Sequence, residues 1–207
     1  MSIEKAYNLW ASQYDSNLNL TRDLDKKCTI KTLKNLDFKN VLELGCGTGK
    51  NTEWLLNKAE RIIGLDFSQE MLHKAKAKIF DKRVLFKKVD LTKDWEIENN
   101  FVDLITASLT LEHIENLDHI FLQANLKLKK NGLFFISELH PFKQYSGSKA
   151  KYETENGIKE LEVYIHHISE YIDTAKNNGF KLIELKEWFD ESSENEIPRL
   201  ISFVFKK

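Results

Sequence analysis

Residues 41–49 read Val-Leu-Glu-Leu-Gly-Cys-Gly-Thr-Gly, and a predicted helix follows from Lys50 to Leu56. This stretch is typical of a short apolar strand that opens into a loop with glycines at 45, 47 and 49. A Cβ at Gly45 or Gly47 would hold a ligand away from the backbone, and glycine adopts φ values that other residues avoid. Amides at the start of the next helix direct free N–H groups towards such a ligand. The loop therefore predicts a binding site at the end of the first strand.

An acidic residue, Asp66, ends the next predicted strand, about 20 residues past the glycines, where a carboxylate can accept hydrogen bonds from both ribose hydroxyls. The alternative for Asp66 is an acid at a helix N-terminus beside Ser68. The glycine spacing differs from the Gly-x-Gly-x-x-Gly of dinucleotide sites, whose third glycine allows close helix packing under a pyrophosphate. Glu43, beneath the loop, suits a positively charged ligand such as an ammonium or sulfonium. The pattern favours a cationic nucleoside over NAD.

Five segments in this order resemble motifs of the class I S-adenosylmethionine-dependent methyltransferases, and the resemblance covers roughly residues 5–140. The segments are Glu43 to Gly49, Gly64 to Leu72, Val89 to Leu91, Phe101 to Ile114 and Lys130 to Ile136.

The resemblance implies S-adenosylmethionine as the cofactor and S-adenosylhomocysteine as its product. It places the ribose on Asp66, the adenine amino group near Asp90, and the adenine ring between Phe67 and Leu91. Asp90 could instead cap its own turn, and Phe67 and Leu91 could be buried for packing alone. The full expected cofactor set is Tyr14, Arg22, Glu43, Gly45, Gly47, Gly49, Asp66, Phe67, Met71, Asp90, Leu91 and Ser108.

Arg22 is the best cation for the cofactor carboxylate, through a bidentate pair. It could equally form a surface pair with Asp23 or Asp25, or lie in a helical segment capped by Thr21. The aromatic residues Tyr7, Trp10 and Tyr14 recur at helical spacing and could face the sulfonium, although such a stripe also suits core or lid packing.

The acceptor side of the site is less well marked. Residues 139–162 follow a strand end as a long loop, which we interpret as a lid that faces the substrate. His140 is the best candidate for a general base, if one is used, and a structural role beside Pro141 is the alternative. Further candidates for acceptor contacts are His113, Tyr145, Lys149 and His166. No grouping has the spacing of a metal site.

The pattern of strands and helices predicts an α/β fold of the Rossmann-like, doubly wound type with helices on both faces. Strands are expected near 40–44, 61–66, 83–89, 102–107, 132–138, 180–188 and 198–205. The resemblance implies that this sheet of about seven strands is mostly parallel and that its last strand is antiparallel. We expect one domain over 1–207, with residues 1–36 as an N-terminal helical cap.

The composition limits the classes of partner. With 207 residues and a net charge of −1, the chain has no basic surface for nucleic acid. Two cysteines give no disulfide framework, and no apolar run approaches membrane-spanning length. We therefore expect a cytoplasmic protein without nucleic-acid or membrane partners; the oligomeric state is not indicated.

The leading hypothesis is a methyltransferase that acts on a small-molecule acceptor by in-line displacement. The alternatives are a protein that binds S-adenosylmethionine without turnover and an NAD-dependent oxidoreductase. The acceptor and the atom that receives the methyl group are not indicated by the sequence.

Overall fold

A computed structural model describes residues 2–16, 18–154, 157–190 and 197–207. Residues 1, 17, 155 and 156, which the predicted cap and lid include, lie outside the described residues. Within the described part, one seven-stranded sheet carries helices on both faces, and two further strands form a separate ribbon.

The main sheet confirms the predicted architecture. Its strand order is β3-β2-β1-β4-β5-β9-β8, with β1 to β5 parallel and β9 antiparallel to both of its neighbours. The ribbon pairs β6 with β7. The strands are β1 Asn40–Leu44, β2 Arg61–Asp66, β3 Val84–Lys88, β4 Val102–Ser108, β5 Leu128–Leu139, β6 Lys151–Thr154, β7 Gly157–Glu160, β8 Lys181–Trp188 and β9 Leu200–Lys206.

The helices begin at polar caps where the sequence supplies them. The side chains of Asn19, Ser68 and Asn116 accept N–H bonds from the first turns of α2, α4 and α5, which satisfies donors that a helix start leaves free. The helices are α1 Ile3–Trp10, α2 Leu20–Leu33, α3 Lys50–Leu55, α4 Gln69–Lys78, α5 Leu117–Lys127, α6 Pro141–Tyr145 and α7 Ile168–Asn177.

Strand β1 shows why the sheet is buried on both faces. Leu42 and Leu44 join the core cluster that contains the apolar residues of α5 and α7, whereas Val41 joins the cluster formed with α2 and α3. Because side chains alternate along a strand, Glu43 shares the α2 side with Val41. A carboxylate thus lies inside the layer between the sheet and these helices.

The binding edge is set by topology. Strand β1 lies between β2 and β4, so the chain reverses its direction of winding at β1, and the carboxyl ends of all three strands meet there. Ligands of open α/β sheets bind at such a point. Helix α1 lies beside this edge and is tied to α4, because Asn8 Oδ1 accepts hydrogen bonds from Ser68 Oγ at 2.7 Å and Glu70 N at 3.2 Å.

Two expectations need correction. Helix α1 ends at Trp10 rather than near Tyr14, and a series of turns follows. The predicted loop of 139–162 contains α6 and the ribbon β6–β7. In the described parts of the chain, every helix is too short or too polar to cross a bilayer.

Candidate active site

The glycine loop needs glycine for steric reasons at Gly45 in particular. Its φ is +63°, and a Cβ there would lie 2.1 Å from Thr110 Oγ1. A Cβ at Gly47 meets nothing within 4 Å, although its φ of +52° is also unfavourable for other residues. Gly45 therefore allows the loops after β1 and β4 to approach, and Gly47 presents bare backbone to open space.

Asp66 links the glycine loop to α4. Its Oδ2 accepts the N–H of Gly47 and its Oδ1 accepts the N–H of Ser68, both at 2.8 Å. Burial raises the pKa of Asp66 to about 6, while these backbone N–H groups oppose the shift. The group is therefore mainly ionised at neutral pH. Asp66 thus also has the alternative role, that of an acid at the N-terminus of α4 beside Ser68. A carboxylate has about four acceptor sites, so Asp66 can still accept hydrogen bonds from a ligand.

A cavity of about 170 Å³, the main cavity, lies over the ends of β1, β2 and β4. Ten of the predicted site residues line it, as do Tyr7, Leu109, Thr110 and Ile114. The ten are Tyr14, Gly45, Gly47, Asp66, Phe67, Met71, Asp90, Leu91, Ser108 and His113.

Asp90 has the capping role that the sequence left open, and it also lines the main cavity. Its Oδ1 accepts hydrogen bonds from Thr92 N at 2.9 Å and Thr92 Oγ1 at 2.7 Å. Phe67 and Leu91 contribute apolar walls to the same space.

Glu43 and Arg22 lie beneath the loop, at a smaller cavity of about 50 Å³ that Gly45 and Gly47 also line. Thr52 Oγ1 donates a hydrogen bond of 2.5 Å to Glu43 Oε2, and burial raises the pKa of Glu43 to about 8. Glu43 is thus mostly protonated at neutral pH. Gly49, in the left-handed conformation, caps the start of α3 and does not line the main cavity.

Arg22 is buried, with 8% of its surface exposed, so the surface-pair alternative is wrong. Its guanidinium lies 4.1 Å from the ring centre of Tyr14 and donates to the Tyr14 carbonyl oxygen. Asp23 pairs instead with Lys50 at 2.8 Å. The guanidinium therefore contacts the rings of Trp10 and Tyr14 and lines the small cavity beside the glycine loop.

The aromatic wall consists of Tyr7, Trp10 and Tyr14, with ring centres 4.9 to 6.4 Å apart. Tyr7 Oη also lies within hydrogen-bonding distance of His113, 2.8 Å from Nε2. His113 Nδ1 lies 3.1 Å from the carbonyl oxygen of Glu162, and burial lowers the pKa of His113. The wall therefore carries a polar pair at its edge.

His140 is not at the cavity, so the general-base interpretation is contradicted. The ring is fully buried; Nδ1 accepts the N–H of Phe142 at 3.2 Å, and Nε2 lies 3.1 Å from Glu187 Oε1. Burial lowers the pKa of His140, and Glu187 opposes that shift. His140 therefore caps α6 and joins it to β8, which is the structural alternative considered above.

The other acceptor candidates are also dispersed. Tyr145 is 51% exposed and its hydroxyl meets His167 Nδ1 at 2.6 Å. His166 is buried, with its Nε2 2.8 Å from the carbonyl oxygen of Ile114 and its Nδ1 2.9 Å from Glu170 Oε1. Neither Tyr145 nor His166 lines a described cavity.

Lys149 is the exception among these candidates. It lines an outer cavity of about 240 Å³ that also touches Tyr7, Trp10 and Glu112. Its ammonium lies 3.5 Å from Glu160.

Two acids near the loop after β4, Glu112 and Glu138, were not predicted as site residues. Glu138 Oε1 accepts the N–H groups of Thr110 and Leu111, both at 2.9 Å. Glu112 Oε2 accepts Gln144 Nε2 at 3.3 Å. Burial raises the pKa of Glu138 to about 8 and that of Glu112 to about 7. The signal was available for Glu138, because an acid near the carboxyl end of a parallel strand lies at the binding edge.

Among the described residues, no three His, Cys, Asp or Glu side chains converge on a position for a metal ion. Cys28 and Cys46 are buried free thiols.

Comparisons with known proteins agree with this geometry. Residues 42–136 match the family model described as "Methyltransferase domain". A putative S-adenosylmethionine-dependent methyltransferase from Listeria monocytogenes superposes with a TM-score of 0.77 at 24% identity, covering 90% of this chain and 99% of that one.

Two curated relatives are O-methyltransferases. Malonyl-[acyl-carrier protein] O-methyltransferase 2 of Ilyobacter polytropus is 26% identical over 172 residues, which is 82% of this chain and 63% of the relative. The ubiquinone biosynthesis O-methyltransferase of Pelagibacter ubique is 26% identical over 174 residues, which is 81% of this chain and 70% of the relative.

Over residues 42–136 the chain matches a methyltransferase domain, and its fold is that of S-adenosylmethionine-dependent methyltransferases. The resemblance and the fold expected from the sequence are confirmed, and the matches support the expected cofactor, S-adenosylmethionine. The same matches favour a methyltransferase over the oxidoreductase alternative.

Proposed function

We propose that this chain transfers the methyl group of S-adenosylmethionine to a small-molecule acceptor by in-line displacement at the main cavity. The observation that carries the proposal is the continuity of this cavity. It runs from Asp66 and the glycine loop, where a nucleoside would lie, past the end of β4 to the polar pair of Tyr7 and His113.

The adenosine half of the cofactor would occupy the end of the cavity near β2. Asp66 would accept hydrogen bonds from the ribose hydroxyls, and Asp90 would contact the adenine amino group. Phe67, Leu91 and Met71 would enclose the ring, since all three line this end. An ionised carboxylate and an apolar slot suit a nucleoside without a pyrophosphate.

The methionine half would lie against Gly45 and Gly47. Arg22 would hold its carboxylate, because the buried guanidinium lines the small cavity beside the same loop. The sulfonium would face the ring of Tyr14 and the backbone near Ser108, since aromatic faces and carbonyl oxygens stabilise a soft cation. Glu43 adds a carboxyl group below, which the cation would favour in its ionised form.

A small acceptor is supported by the shape of the outer cavity. Tyr7 and Tyr14 line both the outer and the main cavity, and Lys149 and Ala150 of the proposed lid also line the outer one. We assign residues 1–36 as the cap and residues 139–162 as the lid of one methyltransferase domain. Methyl transfer needs little besides alignment of the acceptor lone pair with the departing sulfur, so such an enclosure can supply much of the rate. A cytoplasmic location stays a prediction.

The first test is calorimetry with S-adenosylmethionine, S-adenosylhomocysteine and NADH. We expect the first two to bind and NADH not to bind. The second test supplies S-adenosylmethionine with a deuterated methyl group to the protein together with the small molecules of a cell extract. A deuterated product supports the enzyme, whereas tight binding with no labelled product in any extract supports a protein that binds the cofactor without turnover.

A further inference from the structure

The pair of Tyr7 and His113 joins two parts of the fold that are far apart in sequence. Tyr7 comes from α1 and His113 from the loop after β4, yet Oη and Nε2 are 2.8 Å apart. Both side chains line the main cavity, and Tyr7 also lines the outer cavity. The phenol therefore stands where the two cavities meet.

The hydrogen-bond partners of His113 determine which ring nitrogen carries the hydrogen. The carbonyl oxygen of Glu162 can only accept, so His113 Nδ1 carries the hydrogen at that contact. Nε2 is then the basic nitrogen and accepts the hydroxyl hydrogen of Tyr7. The phenolic oxygen keeps its lone pairs for a second donor.

A carboxylate lies where positive charge on His113 would be stabilised. Glu112 Oε1 is 3.9 Å from His113 Nε2, and both residues are shielded from solvent. Burial lowers the pKa of His113, so the ring is neutral and able to accept a proton at neutral pH. Burial raises the pKa of Tyr7, so the phenol carries its proton until a transfer occurs.

We propose that Tyr7 and His113 remove a proton from the acceptor, and that the acceptor atom is therefore an un-ionised hydroxyl of a phenol or alcohol. This inference rests on the proposed function. A carboxylate acceptor is already ionised at neutral pH, so it has no proton for this pair to remove. An ammonium acceptor would bring a second positive charge next to the sulfonium.

The acceptor O–H gives its proton to Tyr7 Oη while the Tyr7 proton moves to His113 Nε2. The acceptor oxygen forms a bond to the methyl carbon, and the C–S bond breaks with its electron pair going to sulfur. The positive charge leaves the sulfonium and appears on the imidazolium, which afterwards releases its proton to water.

Nitrogen NMR tests the pair without any acceptor. The ring nitrogens of His113, assigned by their loss in His113→Gln, should show the neutral tautomer with hydrogen on Nδ1 at pH 7, with and without S-adenosylhomocysteine. Tyr7→Phe should shift the Nε2 signal. An imidazolium at pH 7, or hydrogen on Nε2, would overturn the inference.

Product chemistry tests the acceptor class. Small molecules below about 3 kDa from a cell extract, and separately catechol, benzylamine and benzoate, would be incubated with the protein and trideuteromethyl S-adenosylmethionine. We expect methyl ethers, which survive mild alkali. Methyl esters, which release methanol in alkali, or N-methyl products would overturn the inference while leaving methyl transfer intact. No transfer to any of these acceptors would count against the proposed function, and the inference would fall with it.

Variants separate proton removal from packing. Tyr7→Phe keeps the ring beside Phe67, 5.8 Å between ring centres, and His113→Gln keeps a polar side chain. Each should lower the transfer rate at pH 7 by about 10²-fold or more without changing cofactor affinity. The variant rates should then rise with pH as the acceptor ionises, whereas the wild-type rate levels off above the pKa of His113. His73→Gln, an exposed histidine that contacts Gln69, is the matched control. Wild-type rates and an unchanged pH profile in Tyr7→Phe would refute the proton path.

Discussion

Replacing Asp66 with alanine removes a carboxylate that lies 2.8 Å from two backbone N–H groups, those of Gly47 and Ser68. In the proposed complex the same carboxylate accepts both ribose hydroxyls. A hydrogen bond to a charged group contributes about 1.5–3 kcal/mol, and water recovers part of that in the variant. We expect the loss to be about 2–4 kcal/mol, which raises the Kd for S-adenosylmethionine roughly 30- to 700-fold.

The pH dependence gives a second, independent magnitude. The pKa of Asp66 in the free protein is about 6 because of burial, and the ribose needs the ionised form. With that pKa, roughly 90% of the group is ionised at pH 7 and roughly 10% at pH 5. Affinity should therefore fall as pH falls through 6, and the wild-type Kd should rise about tenfold between pH 7 and pH 5.

Titration calorimetry at several pH values measures both effects, and chemical denaturation shows how much of the change comes from a weakened fold. Asp66→Asn is the control, because asparagine keeps the size and one acceptor oxygen but cannot titrate. In this variant, the part of the pH dependence of Kd that comes from residue 66 should disappear. Asp81→Ala, which removes a partly exposed carboxylate that is paired with Arg83 and lies outside the cavities described above, should leave affinity unchanged. An unaltered Kd in Asp66→Ala, with the fold intact, would refute the assignment of the ribose to this residue.

Three further predictions concern the loop and its surroundings. Arg22→Gln should weaken S-adenosylmethionine binding by about 1.5–3 kcal/mol but leave 5′-methylthioadenosine, which lacks the carboxylate, unaffected in calorimetry; equal losses would remove the carboxylate role. Gly45→Ala forces a Cβ to within 2.1 Å of Thr110 Oγ1, so the unfolding free energy of this variant, measured in urea, should be lower than that of wild type by about 2–5 kcal/mol. Gly47→Ala should lose only about 1–2 kcal/mol, because only the positive φ opposes its side chain. Glu43, whose pKa rises on folding to about 8, favours the folded state most below about pH 4.5 and loses that contribution as pH rises to 8, at roughly 1.4 kcal/mol per pKa unit. Denaturation of Glu43→Gln across this range should show a flatter stability profile, and a slope equal to that of wild type would contradict the burial argument.

Strands β1, β2 and β4 were predictable because each is short, apolar and bounded by polar residues. The expected bounds near 40–44 and 61–66 equal those of β1 and β2. Burial on both faces forces this pattern on a parallel sheet. The binding edge was predictable for the same reason, since the carboxyl ends of adjacent parallel strands must meet, and this brought Gly45 and Asp66 together.

The predictions that were wrong concern residues whose contacts lie in segments distant in sequence. The aromatic spacing continues to Tyr14, but the helix ends at Trp10, and Asp15 in the following turns accepts a 2.7 Å hydrogen bond from Thr48. His140 follows a strand that ends at the binding edge, yet the cap of α6 and the carboxylate of Glu187 direct its ring away from the cavity. Local spacing does not encode either partner.

The buried acids around the site connect cofactor binding with turnover. Glu43, Asp66, Glu112 and Glu138 are hydrogen-bonded by a hydroxyl, backbone amides or a side-chain amide, all neutral donors. Neutral dipoles only partly offset the cost of burying a charge, so all four pKa values are raised. In the proposed complex, the bound sulfonium would supply the missing positive charge and favour the ionised acids. When the methyl group leaves, sulfur becomes neutral, and in the proposed proton path the charge moves to His113 beside Glu112. The acids that would attract the sulfonium would then no longer favour the neutral product, so in this mechanism charge would distinguish S-adenosylmethionine from S-adenosylhomocysteine at one fixed site.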